Sequence, residues 1–110
     1  LRDAGATDSE QVSRLQNGAP IVMAGLVTVR QRPPSAKGTI FLLLEDEFGF
    51  TNVIVSPSIA ARYVDVVRSA PFLVVRGRLE RDGAVVNVIG TRFRELRVTE
   101  RLTHHVHNFH

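Results

Sequence analysis

After residue 18 the chain consists of short apolar runs, rich in β-branched residues and separated by turn signals, which is the pattern of β-strands. The first such segment is rich in Ile, Val and Thr and carries Gly25 near its middle, where a glycine commonly marks a bend. Residues 46–49 are predicted to form a hairpin turn, and the Asp82-Gly83 step predicts a second one. Five strands are therefore predicted, over 20–30, 39–45, 50–55, 71–79 and 84–90.

Two segments follow a helical period instead. Residues 58–68 place apolar side chains three and four positions apart, and Pro57 is acceptable in a first helical turn, so one helix is predicted there. A shorter helix is predicted over 8–17, because Asp8 and Gln11 have the spacing of a capping box and Gly18 is placed as a stop. Residues 1–6 are expected to be a linker, and 31–38, with two prolines, an exposed loop.

The predicted order is strand, strand, strand, helix, strand, strand. This order is typical of the oligonucleotide/oligosaccharide-binding (OB) fold, a five-stranded Greek-key barrel that binds ligands on its second and third strands and two of its loops. A bent first strand fits, since closing a small barrel requires one strand to serve both sheets, whereas an SH3-like barrel lacks the helix. We therefore predict an all-β OB-fold barrel over 19–97, an N-terminal linker and short helix over 1–18, and a tail over 98–110.

Composition narrows the class further. A chain of 110 residues fits one domain, and the absence of cysteine excludes disulfides and thiolate metal sites. The net charge is +3, and all but one of the 14 cationic side chains are arginine, which suits phosphate, although a GC-rich genome also favours arginine codons. The longest apolar run is about five residues, so neither a membrane span nor a signal peptide is expected and the location is taken as cytoplasmic. A first residue other than Met suggests a piece of a longer protein.

The cations concentrate where an OB fold holds its ligands. The first inter-strand loop carries Arg30, Arg32 and Lys37 with no acid between them, a local charge of +3, and alternation places the two arginines on one face. Near the fourth-to-fifth loop, Arg76 and Arg78 again share a face. The sequence thus predicts two basic rims beside the second and third strands, the second of which also includes Arg81.

Alternation also assigns the faces of the second and third strands. One face is expected to be core, and the other to carry the remaining side chains. On the outward face, exposed aromatic rings would stack the bases of single-stranded nucleic acid while arginines follow the phosphates. The alternative is that Phe41 and Phe50 belong to the core or to an interface with another protein. The core set is Ile40, Leu42, Leu44, Val53 and Val55, and the outward set is Phe41, Leu43, Glu45, Phe50, Asn52 and Ile54.

No residue is assigned to catalysis or to a metal. The acidic run at 45–47 could bind Mg²⁺ or act in acid–base chemistry, but a turn with solvated charges is far commoner, and no nucleophile or histidine lies nearby in sequence. The segment after 90 holds four further arginines and four histidines, and a terminal segment seldom supplies the fixed geometry that a metal requires. These are Arg92, Arg94, Arg97, Arg101, His104, His105, His107 and His110.

One family resembles the chain closely between about 22 and 95. The residues that carry the likeness include the run from Val22 to Pro33, then Ala36-Lys37-Gly38, Arg76-Gly77-Arg78 and Asp82-Gly83. They resemble the C-terminal region of bacterial error-prone DNA polymerase, the damage-inducible paralogue of the polymerase III alpha subunit. The terminal Asn108-Phe109-His110 is also similar to that family's ending.

The resemblance implies a non-catalytic accessory domain of a polymerase used in translesion synthesis during the SOS response. It implies contact with single-stranded template DNA, and for the parent protein it implies mutasome subunits and the sliding clamp as partners. The nucleotidyltransferase carboxylates and their Mg²⁺ would lie outside this chain, and no cofactor is expected within it.

Two departures from the family keep another function open. Ser56 stands where the family commonly has an aromatic residue, and Leu43 where a small polar one is common. An apolar patch of Leu43 and Ile54 with the two phenylalanines would suit a protein-docking module. A tRNA anticodon-binding barrel of an aminoacyl-tRNA synthetase shares the fold and ranks third.

Overall fold

The computed structural model describes residues 7–96, and within them five strands close into a barrel. The strands follow one another around it in the order β1-β2-β3-β5-β4; β3 and β5 run parallel and the other pairs antiparallel. The predicted OB fold is confirmed. The elements are α1 Ser9–Val12, β1 Pro20–Gln31, a 3₁₀ turn Pro34–Ala36, β2 Ile40–Asp46, β3 Gly49–Val55, α2 Pro57–Arg62, α3 Val64–Ser69, β4 Phe72–Asp82 and β5 Val85–Glu95.

The first strand bends as predicted and pairs with both of its neighbours. Leu26 is the point of change, since it lies opposite Phe72 of β4 and opposite Glu45 of β2. A Cβ atom on the adjacent Gly25 would lie 2.8 Å from the Glu45 carbonyl oxygen, which only a glycine avoids. A second irregularity follows, because Val27 and Val29 face consecutive residues of β2 and Thr28 between them has no partner. This β-bulge reverses the alternation of β1 beyond Thr28.

The barrel interior is the core that alternation predicts. Every residue of the predicted core set on β2 and β3 is buried, from 7% exposed at Ile40 to fully buried at Val53 and Val55. Burying one such aliphatic side chain contributes about 1.5–3 kcal/mol before opposing terms are subtracted. Further buried residues come from the other strands, namely Ile21, Met23, Leu73, Val75, Leu79, Val88 and Phe93.

The predicted helix after β3 is divided in two. Helices α2 and α3 meet at Tyr63, whose φ of −113° and ψ of 31° interrupt the helix, and whose ring packs edge-on against Phe93 at a centroid distance of 5.7 Å. Ala60 and Val67 are buried in the core cluster. The two helices pack against β5 and lie near the end of the barrel at which β1 ends and β2 begins.

The N-terminal helix is shorter than predicted. The Asp8–Gln11 capping box forms, but α1 ends at Val12, where the Ser13 hydroxyl donates to the Glu10 carbonyl and competes with the helical hydrogen bond. Val12 is buried in the core, so this segment closes the barrel end opposite α3.

Among residues 7–96 no helix has the length and apolar character needed to cross a membrane.

The last two strands are longer than predicted. They form one hairpin around Gly83 and Ala84, with Gly83 at a φ of 63°, and β5 continues five residues past its predicted end, through Arg92 and Arg94. Arg97, Arg101, the four histidines and the terminal motif, like the predicted linker 1–6, lie outside the described residues.

Candidate nucleic-acid interface

The outward side of β2 and β3 brings the predicted ligand residues together. Phe41 lies opposite Ile54, Leu43 opposite Asn52, and Glu45 opposite Phe50. We call these six residues the β2–β3 face. The face continues onto β5, because Asn52 pairs with Asn87 and Ile54 pairs with Ile89; sequence analysis did not assign either β5 residue to a site.

Aromatic rings are exposed at both ends of this face. Phe41 is 37% exposed and Phe50 58% exposed, so neither belongs to the core, and four positions of β2, about 13 Å, separate their places in the ladder. Phe48 in the hairpin turn is 51% exposed and adds a third exposed ring, two positions before Phe50 in the chain. Phe48 was not predicted as a site residue, although a phenylalanine within a four-residue acidic turn has no core to enter.

Arg30 occupies a different place from the one predicted. It lies opposite the buried Leu42, so beyond the bulge at Thr28 its side chain starts from the inner side of the sheet and not from the side of the β2–β3 face. Its Nε donates to the Val67 carbonyl at 3.0 Å and its Nη2 donates to the Ala70 carbonyl. These carbonyls end α3, where the helix lacks backbone donors. Burial lowers the pKa of Arg30. Arg30 therefore secures α3 to β1, while its predicted contact with nucleic acid stays a prediction.

The other two cations of the first loop remain available. Arg32 and Lys37 are exposed, and within residues 7–96 neither side chain makes a hydrogen bond or an ion pair. Lys37 ends the 3₁₀ turn with a φ of 53°, a left-handed conformation that favours glycine or asparagine. Two of the three cations predicted for this loop are therefore without a partner among residues 7–96.

Arg76 and Arg78 of the second predicted rim lie beside different surfaces. Arg78 faces outward beside Ile89, which puts it two strands, about 10 Å, from Ile54 on β3. Arg76 pairs with Arg92 and lies beside Val22, farther around the barrel. Only Arg78 of this rim borders the β2–β3 face.

Arg81 is a structural contact. Its Nη2 donates to the Ser13 carbonyl at 2.9 Å and to the Leu15 carbonyl at 2.7 Å, and its backbone N–H donates to Asn17 Oδ1 at 2.8 Å. The Arg81 guanidinium therefore holds the segment after α1 against the β4–β5 hairpin, and its predicted contact with nucleic acid stays a prediction.

The acidic run at the tip of the β2–β3 hairpin contains another anchor. The Asp46 carboxylate accepts hydrogen bonds from the Ser9 backbone N–H at 2.7 Å, the Ser9 hydroxyl at 2.6 Å, and the backbone N–H groups of Phe48 and Gly49 at 2.9 and 3.1 Å. Asp46 therefore joins α1 to the turn, and only Glu47 of the run is fully at the surface as predicted. Between residues 7 and 96, no three Asp, Glu or His side chains gather in a way that could hold a metal ion.

Comparisons with solved structures show the class of the molecule. The barrel superposes on asparaginyl-tRNA synthetase from Pyrococcus horikoshii in its asparaginyl-adenylate complex, with a TM-score of 0.71 and 16% identity over 84% of this chain and 22% of the synthetase chain. It superposes on OBody AM1L10, solved bound to hen egg-white lysozyme, with a TM-score of 0.68 and 12% identity over 88% of this chain and 98% of that one. At such identities the likeness shows the fold alone: the chain is an OB-fold barrel.

Sequence comparisons show its family. No protein-family model matches the chain. The error-prone DNA polymerase of Anaeromyxobacter dehalogenans strain 2CP-C is 52% identical over 80 residues, which cover 73% of this chain and 7% of the polymerase. Those of Caulobacter vibrioides and Pseudomonas aeruginosa are 41% and 44% identical over 96 residues, 87% of this chain and 9% of each polymerase. The chain belongs to the error-prone DNA polymerase family and spans less than a tenth of the length of these relatives.

Proposed function

We propose that this chain is the OB-fold accessory domain of an error-prone DNA polymerase and that it contacts single-stranded template DNA. The parent protein would be a cytoplasmic DNA-directed polymerase of translesion synthesis in the SOS response, with its catalytic carboxylates and Mg²⁺ outside this chain. Support for the parent comes from the polymerase names of relatives that match 73–87% of the chain.

One observation carries the proposed contact: the β2–β3 face combines exposed aromatic rings with unpaired cations at its border. Phe41 and Phe50 offer stacking surfaces at its two ends, and Arg32 and Lys37 lie in the loop between β1 and β2. Each base stacked on an aromatic ring contributes about 1–3 kcal/mol, whatever the base. The face therefore suits single-stranded DNA of no defined sequence, with Arg78 as a third phosphate contact on the far side of β5.

Salt dependence tests the contact. Each phosphate neutralised on a single strand contributes about 0.7 to the slope of log affinity against log salt, so Arg32, Lys37 and Arg78 together give a slope near −2. Fluorescence anisotropy of a labelled oligonucleotide of about 16 nucleotides, titrated between about 50 and 200 mM salt, measures this slope. Affinity that does not change with salt would contradict the proposal.

Aromatic substitutions test the stacking. Phe50→Ala should weaken binding about 5- to 150-fold at constant salt slope, since it removes a ring and no charge. Val64→Ala, at an exposed apolar position on α3, is the matched control and should bind as the unmodified chain does. Equal affinities for the two variants would remove the aromatic part of the proposal.

Protein docking is the second candidate, and an apolar row favours it. Phe41, Ile54 and Ile89 adjoin one another across three strands, with Leu43 and the 40%-exposed Val29 next to them. The similar OBody barrel bound to lysozyme is an OB fold in complex with a protein. If a mutasome subunit docks on this row, Leu43→Asp abolishes its pull-down while oligonucleotide binding survives, and Val64→Asp leaves both intact. An unchanged pull-down with Leu43→Asp would eliminate this candidate.

A further inference from the structure

A second basic surface lies outside the β2–β3 face, on the outward side of β4 and β5. It consists of Arg76 and Arg92, which we call the arginine face, and Arg78 stands at its border with the β2–β3 face. Arg76 lies directly opposite Arg92 in the β4–β5 ladder, and Val22 of β1 lies on its other side. The outward positions before and after Arg76 on β4 are Val74 and Arg78, so none of its immediate sheet neighbours is acidic.

A β-bulge creates the Arg76–Arg92 pair. The register of β4 and β5 shifts between Arg76 and Gly77, which leaves Thr91 without a partner in the ladder. The Thr91 hydroxyl donates to the Arg76 carbonyl at 3.2 Å, and Thr91 and Arg92 are both exposed. Bulges turn side chains toward new directions, often at binding sites. A shallow depression beside the bulge is lined by residues of β1, β4 and β5, including Pro20, Val22, Arg76, Gly77, Thr91 and Arg92.

The pairing of Arg76 with Arg92 lowers the stability of the barrel when no ligand is bound. Like charges directly opposite one another destabilise an antiparallel pair. Throughout residues 7–96, the guanidinium groups of Arg76, Arg78 and Arg92 make no hydrogen bond or ion pair, in contrast to those of Arg30 and Arg81. An external anion would offset the repulsion, and guanidinium groups bind phosphate oxygens in a bidentate manner.

The surroundings of the arginine face indicate which polyanion it fits. The outward residues beside Arg76 and Arg92 are not aromatic, namely Pro20, Val22, Ala24, Val74, Thr91 and Arg94. The nearest outward ring on β4, Phe72, is half-buried and stands four positions from Arg76. Unstacked bases would gain nothing there. In duplex DNA the bases already stack on one another, and only the phosphates are presented, one per about 1.7 Å of helix axis.

We propose that the arginine face binds the phosphate backbone of duplex DNA. It lies on β4 and β5 next to the N-terminal half of β1, whereas the β2–β3 face lies on β2, β3 and the start of β5, so the barrel can hold both at once. A duplex that continues into a single strand would then contact both surfaces. This inference adds a second ligand to the proposed function and does not depend on the first.

A double substitution tests the proposal on the 110-residue chain. The test variant combines Arg76→Gln and Arg92→Gln. The control variant combines Arg62→Gln and Arg68→Gln, which removes the same charge from the exposed sides of α2 and α3. The probes are a blunt duplex and a single strand of equal length, about 16 nucleotides. Loss of two contacts should reduce the salt slope for duplex by about 1.8 and weaken duplex binding roughly tenfold per contact at about 0.1 M salt. Binding of the single strand should change less than about twofold, and so should binding of either probe by the control.

Each outcome decides between the surfaces. Unchanged duplex affinity, a loss equal to that of the charge-matched control, or no binding of duplex by the unmodified chain would overturn the arginine face. Equal loss with both probes would place the arginines on the path of the single strand and overturn the assignment to duplex. Phe50→Ala should weaken only the single strand, so a failure of that variant counts against the β2–β3 face and leaves the arginine face in place. A thermal melt that is unchanged or raised in the double variant, as relief of the Arg76–Arg92 repulsion predicts, excludes misfolding as the cause.

Discussion

Arg30 and Arg32 stand two positions apart in a basic loop, and we predict different effects when each is replaced by alanine: Arg30→Ala should lower stability, and Arg32→Ala should weaken phosphate contact. Arg30→Ala removes two hydrogen bonds from a charged donor to the carbonyls of Val67 and Ala70. Such bonds contribute about 1.5–3 kcal/mol each where water is excluded, and the exposed position of Arg30 reduces this, so we expect a loss of about 2 kcal/mol in the free energy of unfolding. For a domain of this size, that corresponds to a melting temperature lower by roughly 10 °C.

Two assays separate the roles of these arginines. Urea denaturation measures stability: the midpoint should fall for Arg30→Ala at unchanged m-value and stay constant for Arg32→Ala. Oligonucleotide titration at several salt concentrations measures phosphate contact: the slope should fall by about 0.7 for Arg32→Ala and stay constant for Arg30→Ala. If Arg30→Ala is as stable as the unmodified chain but has the smaller slope, then Arg30 is a phosphate contact and the role assigned to it is wrong.

Three further substitutions test other parts of the structure. Asp46→Ala removes an acceptor of four hydrogen bonds and should lower the free energy of unfolding by about 2–3 kcal/mol in urea denaturation, whereas the neighbouring Glu47→Ala should change it by less than about 0.5 kcal/mol. Gly77→Ala would put a Cβ atom 2.1 Å from the Ile89 carbonyl oxygen and should destabilise the barrel by about 3 kcal/mol or more; a melt equal to that of the unmodified chain would show that the strands can separate there. Lys37→Gly should raise the thermal midpoint, because it relieves about 1 kcal/mol of strain in the left-handed conformation, and a lower midpoint would contradict that strain. The same substitution removes one cation and should reduce the magnitude of the salt slope by about 0.7.

The faces of β2 and β3 could be predicted because both strands are regular. In β2, Ile40, Leu42 and Leu44 point inward while Phe41 and Leu43 point outward, and no bulge interrupts the alternation. A period of two then fixes every side chain from one known position. The candidate interface could therefore be placed from sequence as a set of residues, although its ligand could not.

The role of Arg30 could not be predicted, because it depends on one unpaired residue. Counting by twos from Ile21 and Met23 places Arg30 outward, whereas the extra residue at Thr28 turns it inward toward α3. No residue type near Thr28 distinguishes a bulge from a regular strand. The same bulge moves Val29 to the outward side, where it lies opposite Leu43.

The ends of β4 and β5 were misjudged for a different reason. The charged residues Arg81, Asp82, Arg92 and Arg94 are typical of loops, yet in the structure they are the ends of a long hairpin. One signal was present in the sequence, since the buried Phe93 stands between two outward arginines as a strand requires. The anchoring role of Arg81 required the tertiary position of Ser13 and Leu15, which are far away in sequence.

The parallel pairing of β3 with β5 also sets the order in which the domain can fold. Asn52 meets Asn87 only after the intervening helices and the whole of β4 have been made, so a ribosome must release nearly the entire domain before the barrel can close. Until then β3 presents an open edge rich in valine and isoleucine, which other nascent chains could pair with. The acidic residues 45–47 at the adjacent turn are charges of the kind that natural sequences place beside such edges against aggregation.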